Sequence, residues 1–312
     1  MRKLKDYRLK ELLQGQLLVD SFKQMRNDTY LSAYCKLKPK NFPLFTSRVK
    51  NTLLNKSLVV SIAFERPETI SLLVSYAQKY FQDSLLVIAD NSHSDKARNE
   101  IKKICDDASI PYIKLPINPT KHANRSHGMS MQWCYENIIN IIKPEIFAFI
   151  DHDLIPAKPL NVKHLIKEQP FYGVLWKSEK THAWQLWAGY CIFNYNAVAT
   201  YKLNFLYDFS NGLDTGGRNY LKLYQYFNPK ELNFSSNQLA NFKGSITPTD
   251  EDNNDNRMQI IDDCWIHMGG AGHLNNFEDR YKTFAEQMTA LNRIENWTVS
   301  SNYFSDIINT RE

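Results

Sequence analysis

The sequence predicts an α/β protein built on a mostly parallel sheet, and three observations carry that expectation. Uncharged apolar runs at residues 58–64, 85–89 and 147–150 have the length and composition of strands buried on both faces. Helical periods lie between them, the clearest being Ile70, Leu73, Val74, Ala77, Tyr80 and Phe81 within residues 69–81. Read in order, the first half runs β-α-β-α-β-loop-α-β, the alternation that places helices on both faces of a parallel sheet.

The length of 312 residues, with 43% hydrophobic and 23% charged residues, is enough for one large α/β domain with additions and leaves no reason to expect disorder. The formal net charge of +5 is unevenly spread: residues 1–56 hold 13 Lys and Arg against four acids, and the remainder 25 against 29. Within 1–56, Leu4, Tyr7, Leu12, Leu13, Leu17, Leu18, Phe22 and Met25 form an amphipathic helical pattern beside Arg2, Lys3, Lys5, Arg8 and Lys10. Such a helix either lies on an anionic membrane through residues 1–26 or packs on its own domain with a solvated basic face, and the second reading is preferred. Residues 36–56, with Pro39 and Pro43, read as the connection into a domain spanning 57–290, with a tail at 291–312. Nucleic acid is not expected, because no motif accompanies the charge. Five scattered cysteines without Cys-x-x-Cys spacing argue against a disulfide framework or a zinc site, and for a reducing, cytoplasmic setting.

The first strand is broken by Glu65-Arg66-Pro67-Glu68; the second, at 85–89, ends in Asp90-Asn91-Ser92-His93-Ser94-Asp95. A helix over 96–108, a strand over 112–115 and a helix over 130–142 precede the apolar run that ends in Asp151-His152-Asp153. Open α/β sheets bind ligands at the carboxyl ends of their strands. Two acids there either grip a hard divalent cation on phosphate oxygens, or cap the next segment and accept backbone hydrogen bonds. Residues 171–195 are dense in aromatic rings, of which Trp184 and Trp187 are either sugar platforms or core. The glycine-interrupted loop 211–218 presents Asp214; residues 249–256 read as an exposed acidic loop; and residues 259–273 combine a strand, Asp262, Asp263, His267 and a glycine-rich turn. Arg125, Lys121 and His127 lie before the fourth strand, where either a phosphate, an acceptor or plain solvent accounts for them. Gly-x-Gly-x-x-Gly and Gly-Lys-Ser/Thr are both absent, which disfavours dinucleotide oxidoreductases and P-loop enzymes.

Taken together, Phe64-Glu65-Arg66-Pro67, Asp90 to Asp95, Asp151-His152-Asp153, Gly189-Tyr190-Cys191-Ile192-Phe193 and Asp214 resemble the motifs of family 2-like glycosyltransferases of the GT-A fold, over about residues 57–280. Glu65 departs from that family's usual Asn, and Leu213 from its usual acid. The resemblance implies a nucleotide-sugar-binding half at 57–160, using Phe64, Glu65, Arg66, Asp90, Asp151 and Arg125, and an acceptor half at 161–290. It also implies Mn²⁺ or Mg²⁺ on Asp151, Asp153 and His267, a UDP- or GDP-sugar donor, and a glycan, lipid-linked or protein acceptor against Trp184 and Trp187. Asp214 is the implied base, with Asp262 and Asp263 in reserve, for a hexosyl- or N-acetylhexosaminyltransferase. The rivals are a haloacid dehalogenase-type phosphatase, whose Asp-x-Asp strand opens the fold, a sugar nucleotidyltransferase, which wants a glycine-rich loop after the first strand, and a non-catalytic sugar-nucleotide-binding protein.

Overall fold

The computed structural model describes residue 4 and residues 7–242, 257–272, 276–293 and 304–309, with 240–242, 257 and 304–309 as backbone alone. Eleven strands are formed by these residues: β1 (Ser57–Ala63), β2 (Ser84–Asp90), β3 (Tyr112–Lys114), β4 (Ile146–Asp151), β5 (Leu154–Pro156), β6 (Phe171–Lys177), β7 (Trp184–Asn194), β8 (Asn237–Phe242), β9 (Arg257–Ile261), β10 (Trp265–His267) and β11 (Phe304–Asn309). Six make the central sheet in the order β3-β2-β1-β4-β7-β6. The first four are mutually parallel and β7 runs antiparallel to β4 and to β6. This is the mostly parallel, helix-flanked sheet that the sequence leads one to expect. Three strands precede the Asp pair, against the strand order of the phosphatase rival.

Alternation along β1 explains the two cores. Leu58, Val60 and Ile62 face one side and Val59 and Ala63 the other, and all are buried. On the second side lie Pro67–Tyr80 and Asp95–Asp107, helices that present Ile70, Leu73, Val74, Ala77 and Ile101 to the sheet. On the first lie the aromatics, with Phe147 stacked on Phe193 at 5.0 Å and Phe205 edge-on to Phe149 at 5.0 Å. Register sets the site: Ala63 pairs with Asp90 and Ile62 with Asp151, so the carboxyl ends of β1, β2 and β4 finish together.

A second sheet, in the order β11-β8-β9-β10-β5, goes beyond what the sequence indicates. Its joining strands β5 and β10 are three residues each, too short for a periodic signal. The fourth apolar run does not simply stop at Pro156, because Leu154–Pro156 turns away and pairs antiparallel with β10, setting His267 opposite Leu154. Likewise the helix expected at 130–142 starts earlier, at Ala123, with the His122 ring accepting the Arg125 N–H. It passes through a π-helical turn at Tyr135–Ile139 before ending at Ile142.

The N-terminal region also departs from expectation. Residues 36–56 are more than a connection: Phe42–Leu53 is a helix whose Phe42, Phe45, Val49 and Leu53 share a core with Val60, Val87 and Ile113. The helix Gln16–Lys36 is anchored only over its second half, by buried Asn27, Leu31, Tyr34 and Cys35. Leu9, Leu13, Leu18, Phe22 and Met25 remain exposed. Arg2, Lys3, Lys5, the acidic stretch 249–256 and most of the tail from 291 lie outside the described residues. All five cysteines are buried free thiols, in line with the expected absence of disulfides. Among the described residues no helix is long and apolar enough to cross a membrane.

Candidate active site

At the carboxyl end of β4, Asp151, Asp153 and His267 each offer one ligand atom, and those atoms lie within 4.8 Å of one another. His267 Nε2 stands 3.3 Å from Asp153 Oδ1 and 4.0 Å from Asp151 Oδ2. Two ligands about 2.1 Å from one octahedral ion stand about 3 Å apart when cis and about 4.2 Å when trans, and the two His267 separations fall in that range. Two of the three ligands, Asp153 and His267, are held from behind. The Ala271 N–H donates to Asp153 Oδ2 at 3.3 Å, made possible by Gly269 and Gly270, whose φ of +76° and +74° fold the chain back. His267 Nδ1 lies 2.8 Å from Gln259 Oε1, which fixes the proton on Nδ1 and leaves Nε2 to ligate. Gln259 is positioned in turn by donating to Asn237 Oδ1 at 2.6 Å.

Burial works against charge on both Asp153 and His267, and their pairing overrides it. The Asp153 carboxyl is held below its ordinary range and the His267 imidazole above its own. His127, 3.8 Å from Asp151 Oδ1, is pushed down by burial, with Asp151 and, more weakly, Asp214 opposing. Gly189 abuts the trio: a Cβ there would stand 2.5 Å from Asp151 Oδ2. Its neighbourhood is a bulge, since between the pairs Gly173–Cys191 and Leu175–Leu186 β7 advances five residues while β6 advances two. The bulge delivers Trp187 onto the His267 ring, at 4.8 Å between centroids.

The trio opens onto a cleft of 390 Å³ that extends across the ends of β1 and β2 and is walled by Phe64, Asn91, His93, Lys121, His127 and His152. Two of its polar atoms are buried without partners, Asn91 Oδ1 and His152 Nε2. The amide of Asn91 is held by Ser126 Oγ at 2.9 Å, and His152 Nδ1 donates to the Ile62 carbonyl at 3.1 Å. Both therefore present acceptors to whatever fills the cleft.

Several residues singled out from sequence lie elsewhere. Asp90 is fully buried, its two oxygens taken by the Ser92 N–H and the Tyr112 hydroxyl; its neighbour Asn91 faces the cleft instead. Glu65, at φ +55°, accepts the His93 and Ser94 N–H groups and so shapes the loop without lining the cleft. Arg66 donates to the Ala271 carbonyl and lies 3.9 Å over the Phe277 ring, bracing the glycine turn. Arg125 turns away to Tyr207 and Thr120, because helical spacing puts its neighbours Lys121, Asn124 and His127 on the cleft side. Trp184 is core, stacked on Tyr224 at 5.0 Å, and cannot serve as a platform. Asp262 takes the hydroxyls of Tyr172 and Tyr190, both at 2.8 Å, and with Asp263 forms the positive-φ turn at the end of the β9–β10 hairpin opposite His267. Neither is poised as a base. Asp214 is exposed beside the cleft, with one oxygen on the Thr215 N–H.

Gln259, Asn91 and His152 were not legible as site residues. A Gln alternating with Met258 and Ile260 reads as an ordinary strand position, and only the pairing of β9 with β10 brings it to His267.

No protein-family profile and no curated protein sequence matches this chain. Among solved structures it is similar to the mannosyltransferase PcManGT from Pyrobaculum calidifontis, in complex with GDP-Man and Mn²⁺, at 11% identity over 56% of this chain and 57% of that one, with a TM-score of 0.34. It is also similar to S. aureus TarS, at 19% identity over 33% and 18% of the two chains and a TM-score of 0.23. A third similarity is to the bifunctional glycosyltransferase WbbM, at 11% identity over 47% and 32% and a TM-score of 0.33. This chain thus spans less than two thirds of each of them.

Proposed function

We propose that the chain is a divalent-metal-dependent glycosyltransferase that moves a sugar from a nucleoside-diphosphate sugar to an acceptor hydroxyl. The observation that carries this is the Asp151, Asp153 and His267 trio at the rim of a cleft formed by parallel strand ends. Phe64 offers an apolar face to a base, and Asn91 Oδ1 and His152 Nε2 are the unpartnered polar atoms left for N–H or O–H groups of the nucleoside. Asp151, Asp153 and His267 hold the ion, with the nitrogen ligand favouring Mn²⁺ over Mg²⁺. When bound, the ion supplies Lewis-acid stabilisation of the departing diphosphate.

Asp214 takes the proton from the acceptor hydroxyl as that oxygen bonds to the anomeric carbon. The carbon–oxygen bond to the diphosphate breaks and its electron pair leaves with the phosphate, so the step inverts the centre. Trp187, held against His267 and half-buried, borders the sugar. Hexosyl and N-acetylhexosaminyl donors, on UDP or GDP, are the substrates to test. Slow hydrolysis of one member of a nucleotide-sugar panel, dependent on Mn²⁺ and abolished by EDTA, supports the reading; indifference to the whole panel refutes it.

We place the enzyme in a reducing compartment, on the strength of its five free thiols, with peripheral membrane contact through the N-terminal helices. Leu18, Phe22 and Met25 share one outward stripe of Gln16–Lys36, with Leu9 and Leu13 on the preceding helix and exposed Lys10 and Lys36 nearby. Burying each such side chain is worth roughly 1.5–3 kcal/mol, which their own domain does not supply. Sedimentation with anionic but not neutral vesicles, lost in a Leu18→Ser/Phe22→Ser variant, tests the contact.

A further inference from the structure

A second and larger cleft, of 650 Å³, lies on the other side of the 120–127 segment from the donor cleft, between the N-terminal helices and the loop that begins at Tyr207. We infer that it is the acceptor site and that the acceptor is a saccharide carrying an oxyanion, phosphate or carboxylate; this rests on the transferase reading above.

Three of the segments that line it supply the groups of interest. Lys23 and Arg26 come from the helix Gln16–Lys36, Lys180 from the connection between β6 and β7, and Phe209 from the loop after Tyr207. The Arg26 Nε is buried with no partner, a cationic donor left for a ligand to satisfy. Lys23 and Lys180 have no side-chain partner among the described residues. Of the lining acids, Asp20 accepts from Tyr7 and Gln16, Glu11 from the Arg8 N–H, and Asp208 from Ser210 and Asn211, while Glu179 is exposed; these four face six cations, Arg8, Lys23, Arg26, Arg125, Lys180 and Arg218. The unmatched groups are therefore mainly cationic, and guanidinium and ammonium donors are suited to phosphate and carboxylate oxygens.

Beside them Tyr207 and Phe209 stack at 4.1 Å and 24°, and Phe209 is 44% exposed, a flat apolar face of the kind a sugar ring covers. The wall is rigid. Arg125 and Asn27 both donate to the Tyr207 hydroxyl, and Arg218 pairs with Asp28, tying the helix to the domain on both flanks. The loop that carries Tyr207 and Phe209 closes through paired Asp208 and Leu213 and continues directly into Asp214. One loop thus links the platform to the proposed base.

The test is calorimetric titration of the full chain with glucose 6-phosphate, glucuronate, glucose and inorganic phosphate. At least one anionic sugar is expected to bind tenfold or more tighter than glucose. Lys180→Gln, an exposed change that cannot disturb the core, combined with Lys23→Gln, should weaken that sugar tenfold or more. Phe209→Ala should weaken the sugar anion and leave inorganic phosphate unaffected. Equal binding of glucose, binding of none of the four, or an unchanged affinity in the double variant overturns the inference. Titration of the wild type with UDP and GDP in Mn²⁺ separates the two levels. A protein that takes the nucleoside diphosphate but no anionic sugar sinks only this inference, and one that takes neither nucleotide sinks the reading beneath it.

Discussion

Gln259 Oε1 lies 2.8 Å from His267 Nδ1, so a neutral amide on β9 decides which nitrogen of a buried imidazole faces Asp151 and Asp153. The arrangement is the second support of a ligand rather than a ligand itself.

Replacing Gln259 by Leu removes the acceptor, leaves the ring free to change tautomer, and is expected to weaken Mn²⁺ binding by about 10- to 100-fold. Calorimetric titration of Mn²⁺ reads it. Circular dichroism should be unchanged, since Gln259 is only half-buried on a strand kept by its backbone pairing.

Gly189 leaves room for the Asp151 carboxylate and the Trp187 ring together. Gly189→Ala puts a methyl 2.5 Å from Asp151 Oδ2, closer than such atoms approach, so the carboxylate has to move. The expected result is a protein that stays folded by circular dichroism and whose Mn²⁺ affinity, read by calorimetric titration, falls at least tenfold.

The raised His267 sets the sign of a pH effect. The proton that binds Nε2 in the metal-free protein has to leave before a cation can take its place, so apparent Mn²⁺ affinity rises with pH and levels off above the raised imidazole value. Below that value affinity should drop about tenfold per pH unit, one proton being displaced. Without metal the sign reverses. A histidine whose value is raised in the folded state gives stability that is full below about 6.5 and is lost as pH rises through the folded value. Thermal melts at pH 6 and pH 8, with and without Mn²⁺, distinguish the two.

The strands and the Asp pair were legible because residues 58–64, 85–89 and 147–150 are uninterrupted apolar runs ending in polar residues. His267 was reached only through a motif, since its ligand role depends on β5 and β10, whose three residues each carry no period. The two tryptophans show the limit in one stretch. Trp184 and Trp187 sit three apart in a strand of β-period, and a bulge that leaves no mark in composition decides which is core and which reaches the site. Asp90 and Asn91 pose the same difficulty at a strand end: adjacent side chains point to opposite sides, and only the register with β1 and β3 tells which side is the cleft. The N-terminal pattern announced one amphipathic helix where two form, broken at Gly15, and periodicity does not say which stretch meets the domain; here contact begins at Asn27.

The most direct measurement is the titration of UDP and GDP into the wild type and into Asp153→Ala, each with Mn²⁺ and with EDTA. One nucleoside diphosphate is expected to bind the wild type in Mn²⁺ and to lose at least tenfold in affinity in EDTA, with Asp153→Ala folded and no longer responsive to the metal. Binding that is the same with Mn²⁺ and EDTA, or an Asp153→Ala protein that keeps the full metal response, would contradict that expectation.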